Sequence, residues 1–394
     1  MASRKPQPDY DPQSTRQKDL LILRELRRRI RHVIYVIKEN RSYDQILGDL
    51  GRGNGCRALT QFGENITPNL HRLAREFVDL DNFFASGDVS WEGWPWSTAG
   101  RETNFVTTTV PLCSIYSKRG MDYDYEGMNR NLNVGLRTVK ERRAVNPQAS
   151  GDPDLLPGTN DVAAPDGPEG TPPARGYIWD AVLRAGLTLR NYGCFVDLPR
   201  QFSFPLPEGT AKNRYPVSCA TKAALIPNTD PYFRGFDNRF PDYYRECEWE
   251  CEFAKFSKNG DLPSLELVRL MHDHMGDFDK AIDGVNTPEL QQADNDYAVG
   301  RLVDKVAHSR YRSNTLVFVV EDDVQDGADH VDAHRTTAYI VGPYVRQNVV
   351  VSRYYTTVNL LRTSSRTQTW TSTMSSTNSR SKDAVCERPD AGSW

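Results

Sequence analysis

Two short apolar runs, His32-Val33-Ile34-Tyr35-Val36-Ile37 and Thr315-Leu316-Val317-Phe318-Val319-Val320, each break off into a polar cluster. Lys38-Glu39-Asn40-Arg41 follows the first and Glu321-Asp322-Asp323 the second. Runs of β-branched and aromatic residues without polar alternation suit strands covered on both faces, the condition of a parallel sheet held between helices. A third run, Thr337 to Val341, stops at Gly342-Pro343, and Leu187 to Phe195 is a weaker strand candidate. Helical spacing appears between these runs. It covers Lys18 to Arg31, with Leu20, Leu23, Leu26 and Ile30 near one stripe, then Asn69 to Glu76, and Asp294 to Ser309, with Ala298, Leu302, Val303 and Val306 together. Strands alternating with helices predict an α/β fold: a mainly parallel sheet flanked by helices.

The remainder of the 394 residues divides by composition. Residues 1–30 read as a flexible leader and a short helix, and residues 31–363 as one large α/β domain. Within it, residues 145–175 are rich in Pro, Gly and Asp and read as a surface insertion at an active-site rim. Residues 196–262, rich in aromatics and Pro, read as a cap beside the sheet. The stretch from Ser364 to Trp394 is dominated by Ser and Thr and contains no Leu, Ile, Phe or Tyr. Such a segment buries too little apolar surface to offset its ordering entropy and is expected to be disordered.

Several function classes are disfavoured. With 38% hydrophobic and 26% charged residues the chain has a globular composition, and a net charge of −3 gives no electrostatic case for nucleic acid. No apolar run is long enough to span a bilayer as a helix, so stable membrane insertion is not expected. Met1 to Gln17 lacks the apolar stretch of a signal peptide, so no export address is expected within this sequence. None of Cys56, Cys113, Cys194, Cys219, Cys247, Cys251 and Cys386 forms a CxxC pair, which disfavours a zinc ribbon. Their number suits scattered thiols and also permits one to three disulfides.

Chemistry concentrates where the strands end. In open parallel sheets ligands bind beyond the carboxyl ends of the strands. There, Glu39-Asn40 and Glu321-Asp322-Asp323 bring acids that repel one another unless a cation offsets them. Oxygen ligands of this kind suit Mg²⁺, Mn²⁺, Ca²⁺ or Zn²⁺; the same acids could instead cap helices or sit in solvated loops. Five of the seven histidines, His272, His274, His308, His330 and His334, follow in one stretch, two of them within Asp329-His330-Val331-Asp332-Ala333-His334-Arg335. A loop dense in His and Asp suits a metal or phosphate site. His32 and His71 stand apart and read as structural. There is no GxSxG elbow, Walker A loop or dinucleotide fingerprint. Ser86-Gly87-Asp88-Val89-Ser90-Trp91-Glu92-Gly93-Trp94 places serines in a Gly-flanked turn before a helical segment, Trp96 to Gly100.

Taken in order, Glu39-Asn40-Arg41-Ser42-Tyr43-Asp44, Asp81-Asn82-Phe83-Phe84, Ser86 to Gly93, Trp96-Ser97-Thr98-Ala99, Val320-Glu321-Asp322-Asp323 and Asp329 to Arg335 resemble the bacterial phosphoesterase family. That family includes phospholipases C and an acid phosphatase within the alkaline phosphatase superfamily. The resemblance covers roughly residues 31–363. It implies an alkaline-phosphatase-like fold and a divalent metal held by Glu39, Asn40, the nucleophile, Asp322 and Asp323. Ser90 matches the nucleophile position best, with Ser86 as the fallback. His274 resembles a histidine lining the phosphate site, and His330 and His334 are further candidates for that shell or for a second metal.

The implied activity is hydrolysis of a phosphate ester through a phosphoseryl intermediate. Diester or phospholipase C action, and a non-catalytic metal- or phosphate-binding protein, are the rival readings. Two departures from the family stand out. Trp94 occupies a position where close relatives often show histidine, and the chain after Leu360-Leu361-Arg362-Thr363 turns into the Ser/Thr tail where relatives continue as an apolar helix. Some relatives carry a signal peptide or a β-propeller upstream, and neither lies within this sequence, an expectation that leaves the completeness of its start open.

Overall fold

In a computed structural model of the chain the described residues are 12–113, 124–127, 140, 144, 163–165, 175–198, 217–324 and 327–367. The apolar runs form the centre of a five-stranded sheet. Its strands are β1 (His32–Lys38), β2 (Leu189–Tyr192), β3 (Leu265–Arg269), β4 (Thr315–Glu321) and β5 (Ala338–Val341), in the spatial order β2-β3-β1-β4-β5. The first four are mutually parallel, while β5 runs antiparallel to β4. The expected α/β architecture is therefore present, with one antiparallel edge that the apolar pattern of Thr337 to Val341 did not distinguish.

Alternate residues of each strand enter opposite cores, as the period of two requires. Val33, Tyr35, Ile37, Leu316, Phe318 and Val320 face one core, and Ile34, Val36, Val317 and Val319 face the other. The first core is covered by α4 (Ser90–Ala99), α6 (Ile178–Arg184) and α9 (Thr357–Thr367), which contribute Trp94, Trp179, Leu360 and Leu361. The second is covered by α3 (Pro68–Glu76), α7 (Asp242–Asn259) and α8 (Pro288–Ala307), through Leu70, Trp249, Val299 and Leu302. Helix α1 (Pro12–Arg29) precedes β1, α2 (Tyr43–Leu47) follows it, and α5 (Asn104–Cys113) follows α4. No helix among the described residues is long and apolar enough to cross a membrane.

Several boundaries move, for local reasons. Helix α1 begins at Pro12, inside the stretch read as leader. Helix α8 begins six residues before Asp294, because Thr287 caps it, its side chain accepting from the Leu290 amide, and Pro288 fits the first turn. Helix α4 begins at Ser90 rather than at Trp96. Gly93 and Pro95 are poor helix formers, and tertiary packing overrides them.

The segment read as a cap contains α7, whose Trp249 lies in the second core; residues 242–259 are thus part of a helix layer covering the sheet. At the chain's end, Ser364, Ser365 and Thr367 continue α9 and are buried, so expected disorder does not begin at Ser364. The rest of that tail lies outside the described residues, as does most of 145–175, although Ala163 and Ala164 are buried in the first core.

Candidate active site

Parallel pairing sets the two polar clusters side by side. Lys38 pairs with Glu321 in the register of β1 and β4, and the Asp322 amide donates to the Lys38 carbonyl at 3.0 Å. Glu39 and Asp322 therefore leave neighbouring strands at the same edge. Lys38 is buried and bridges Asp273 and Glu321 at 2.8 Å each. Burial opposes its charge, but the two carboxylates overcome this and raise its pKa. Lys38 thus acts as an internal counter-charge that ties β1 to β4 and to the turn after β3.

Beyond this pair lie Glu39, Asp322 and Asp323, all buried. Burial, with mutual repulsion, pushes Glu39 and Asp322 well above the usual carboxylate range, and burial pushes Asp323 up to about 7. Arg269, at the end of β3, offsets part of the charge. It donates to Glu39 Oε1 at 2.9 Å through Nε and also pairs with Glu126. Glu39 Oε2 is buried without a hydrogen-bond partner. Asn40 is buried next to Glu39 with a left-handed backbone, φ 72°. That geometry is tolerated by Asn better than by most residues and turns the chain out of the sheet.

Ser90 arrives from the other side. It opens α4, and its Oγ donates to Asp323 Oδ2 at 2.8 Å. A Cβ on Gly93 would lie 2.6 Å from the Asp322 carbonyl oxygen, so only glycine lets α4 approach the end of β4 this closely. Trp94 is fully buried, with the Arg269 guanidinium 4.5 Å above its ring. Its ring packs against Arg269 at the position where the resemblance led one to expect a histidine.

The histidines separate. His274 lies in a short turn after β3, edge-on to Phe236 at 4.9 Å. Burial lowers its pKa, and Glu126, Arg41 and Arg269 are close enough to act on it, so it borders the carboxylate cluster. His330 belongs to a different knot: Nδ1 contacts Asp44 at 2.6 Å, beside Asp329 and the buried Arg335.

Asp44, Asp329 and His330 form a possible metal-ligand set, with one ligand atom from each lying within 4.8 Å of the others. Arg335 already donates to Asp329 at 2.9 Å and to Asp44 at 3.0 Å, so a guanidinium occupies the cation's place. His334 is half-buried and contacts Asp332 and Asp88 in the Ser90 segment. His272 is a buried structural residue bonded to Asp294 and Asn238. Ser86, the fallback nucleophile, has no contact with the carboxylates among those the structure displays.

Lys38, Arg41, Glu126, Arg269 and Asp273 were missed as site residues. For Lys38 and Arg41 the available signal was adjacency to Glu39-Asn40 at a strand end. Arg269 closes a short apolar strand in the same way, and Asp273 lies between two histidines. Glu126 carried no signal.

The donor set fits a divalent cation. Three buried carboxylates with raised pKa values, among them Glu39 with its Oε2 buried and unbonded, stand beside a neutral amide and a hydroxyl, a hard-oxygen environment.

No protein-family model and no curated protein matches the chain. Among solved structures it is similar to a protein in the alkaline phosphatase superfamily from Vibrio parahaemolyticus, at 16% identity and TM-score 0.46, covering 86% of this chain and 66% of that one. It is also similar to the PsFucS1 sulfatase from Pseudoalteromonas sp., at 12% identity and TM-score 0.48, covering 91% and 72%. A third is the lipoteichoic acid synthase LtaP from Listeria monocytogenes, at 11% identity and TM-score 0.47, covering 86% and 71%.

Proposed function

We propose that the chain is a metal-dependent hydrolase of phosphate esters, with Ser90 as nucleophile and Glu39, Asn40, Asp322, Asp323 and Ser90 as the oxygen donors for one divalent ion. The observation that carries this reading is the Ser90–Asp323 hydrogen bond at the carboxyl edge of a parallel sheet, within a cluster of buried carboxylates. A divalent ion bound there would lower the pKa of a hydroxyl and offset charge on the phosphoryl oxygens.

The chain's own residues supply the rest. Asp323 accepts the hydrogen bond from Ser90 Oγ and so fixes the direction of its lone pairs. As Ser90 Oγ bonds to phosphorus, its proton passes to the carboxylate and the bond to the leaving oxygen breaks in line. Backbone amides in the first turn of α4 present partial positive charge to the phosphoryl group. His274, whose Nδ1 faces the Met275 carbonyl at 3.3 Å and whose pKa burial lowers, lines the phosphoryl position with its ring. Arg269 holds Glu39 in place. Water then cleaves the phosphoseryl bond from the side the leaving alcohol has vacated. His330 supports the loop through Asp44 and Arg335.

The test is a panel of p-nitrophenyl phosphate, its bis ester, phosphatidylcholine and p-nitrophenyl sulfate, each with and without Mn²⁺, Zn²⁺, Mg²⁺ or Ca²⁺. Metal-dependent release from a phosphate ester supports the reading and separates monoester from diester action. Metal-dependent release from the sulfate alone moves the substrate class. No turnover with any of them, alongside retained metal binding, leaves a non-catalytic binding protein.

A further inference from the structure

A second pair of acids, sharing no residue with the Ser90 cluster, is buried without an ion pair. Asp79 closes the two-residue strand Val78–Asp79, which pairs in parallel with Val349–Val350, and Asp81 follows two residues later. Both are buried, and neither makes an ion pair among the described residues. Asp79 Oδ1 accepts from the Tyr43 hydroxyl at 3.1 Å. Asp81 Oδ2 accepts from the Asn54 amide at 2.8 Å and from the Ser352 hydroxyl at 3.0 Å. The other oxygen of each carboxylate, Asp79 Oδ2 and Asp81 Oδ1, is buried with no hydrogen-bond partner. Burial, with repulsion from Asp81, raises the pKa of Asp79 to about 6.

The neighbouring guanidiniums are engaged elsewhere. Arg335 gives its carboxylate bonds to Asp44 and Asp329, and reaches Asp81 and Asn54 only at their backbone carbonyls, at 3.0 and 2.7 Å. Arg52 donates to Asn348 Oδ1 at 2.9 Å and to the Ala74 carbonyl. Both act on Asp79 electrostatically without a hydrogen bond to it. A glycine brings the two acids together. Gly53 has φ 70°, and the point where its Cβ would stand lies 2.7 Å from Asp79 Oδ2, 3.0 Å from the Tyr43 hydroxyl and 3.1 Å from Asp81 Cβ. Gly53 and Asn54 are themselves exposed, so the buried pair lies directly under solvent-facing backbone.

We propose that Asp79 and Asp81 bind a Ca²⁺ ion through Asp79 Oδ2 and Asp81 Oδ1, with water completing its shell from the exposed Gly53 side. Two buried anionic oxygens without partners are costly, and a cation between them relieves both the desolvation and the repulsion. The donors are hard oxygens in an irregular arrangement, which Ca²⁺ accepts and Mg²⁺ does not, and the pair offers neither the nitrogen nor the sulfur that Zn²⁺ favours. The ion fastens the 51–56 loop to the end of the Val78–Asp79 strand. That loop carries the Asn54 carbonyl that holds Arg335 and the Asn54 side-chain oxygen that contacts His330 Nε2 at 3.3 Å. The site is therefore structural, and it steadies the Asp44–Asp329–His330 knot from outside.

The experiment titrates Ca²⁺ by calorimetry into the full chain after dialysis against a chelator, and follows hydrogen exchange of the amides in residues 51–56. It compares wild type, Asp79→Asn, Asp81→Asn and Asp322→Asn, with melting temperatures recorded to show that each is folded. Ca²⁺ is expected to slow exchange of these amides by roughly tenfold or more in wild type and in Asp322→Asn, and to leave it unchanged in Asp79→Asn and Asp81→Asn. The calorimetric affinity falls in step in those two variants. Protection that is lost in Asp322→Asn and kept in Asp79→Asn assigns the ion to the Ser90 cluster and overturns the inference. Exchange in wild type that Ca²⁺ does not alter overturns it as well, and that result needs no variant. None of these readouts uses turnover, so the inference is tested independently of the hydrolase reading.

Discussion

Ser90 Oγ lies 2.8 Å from Asp323 Oδ2, although 233 residues separate them in the chain. The contact exists because α4 and β4 meet at Gly93, where the helix backbone approaches the Asp322 carbonyl without a side chain between them. It joins a hydroxyl of ordinary reactivity to a carboxylate that burial has pushed up to about 7.

Replacing Ser90 by Ala is expected to lower kcat on the preferred ester by on the order of 10³-fold or more, because a covalent route loses its first bond. Loss of one hydrogen bond costs only about 1 kcal/mol, so the fold and most metal affinity remain. Steady-state kinetics with calorimetric metal titration check both parts. Near-normal turnover would transfer the nucleophile elsewhere, first to Ser86.

Chelation and re-addition test the carboxylate cluster. In wild type a saturating divalent ion is expected to raise thermal stability, by about 2.7 kcal/mol at a hundredfold excess over Kd. Asp322→Asn is expected to abolish most of this shift, since it removes a buried anionic donor. Calorimetric melts after dialysis against a chelator, with and without Mn²⁺ or Zn²⁺, provide the comparison. Equal shifts in both proteins would place the ion somewhere else.

Gly93→Ala addresses the close approach of α4. The added Cβ would lie 2.6 Å from the Asp322 carbonyl oxygen, a backbone atom that cannot simply rotate away. Overpacking of this kind costs about 1–3 kcal/mol. The Ser90–Asp323 geometry should loosen as well, so kcat should fall while the chain still folds. A variant with unchanged melting temperature and unchanged kcat would show that the helix shifts freely.

Glu266 lies in β3 away from the carboxyl edge, fully buried, accepting from Trp249 Nε1 at 2.9 Å. Burial raises its pKa from an ordinary 4.5 to about 8. A carboxyl whose folded pKa is raised binds its proton more tightly in the native state. Its stabilising contribution is therefore full below about pH 4.5 and is lost as the pH rises through about 8. Glu266→Gln should remove this dependence, so its melting temperature relative to wild type should climb between pH 5 and pH 8.5. Parallel melting curves across that range would show that Glu266 does not titrate in it.

Much of this architecture is legible in one dimension because strand burial leaves a local trace. Unbroken β-branched runs such as Val33 to Ile37 and Leu316 to Val320 suit strands covered on both faces, and parallel pairing then delivers whatever follows them to one edge. Glu39, Asn40, Asp322 and Asp323 reach that edge in this way. Only the tertiary structure decided what surrounds them. Arg269 offsets Glu39 because β3 lies beside β1, Trp94 supports Arg269 because α4 covers that face, and Arg335 fills the Asp44–Asp329–His330 knot from a loop that looked catalytic. The histidines of that loop share their composition with ligands, and composition carries no direction. Which charge faces which is settled by long-range packing, since Coulomb energy and desolvation depend on distance and burial, and neither is written in local sequence.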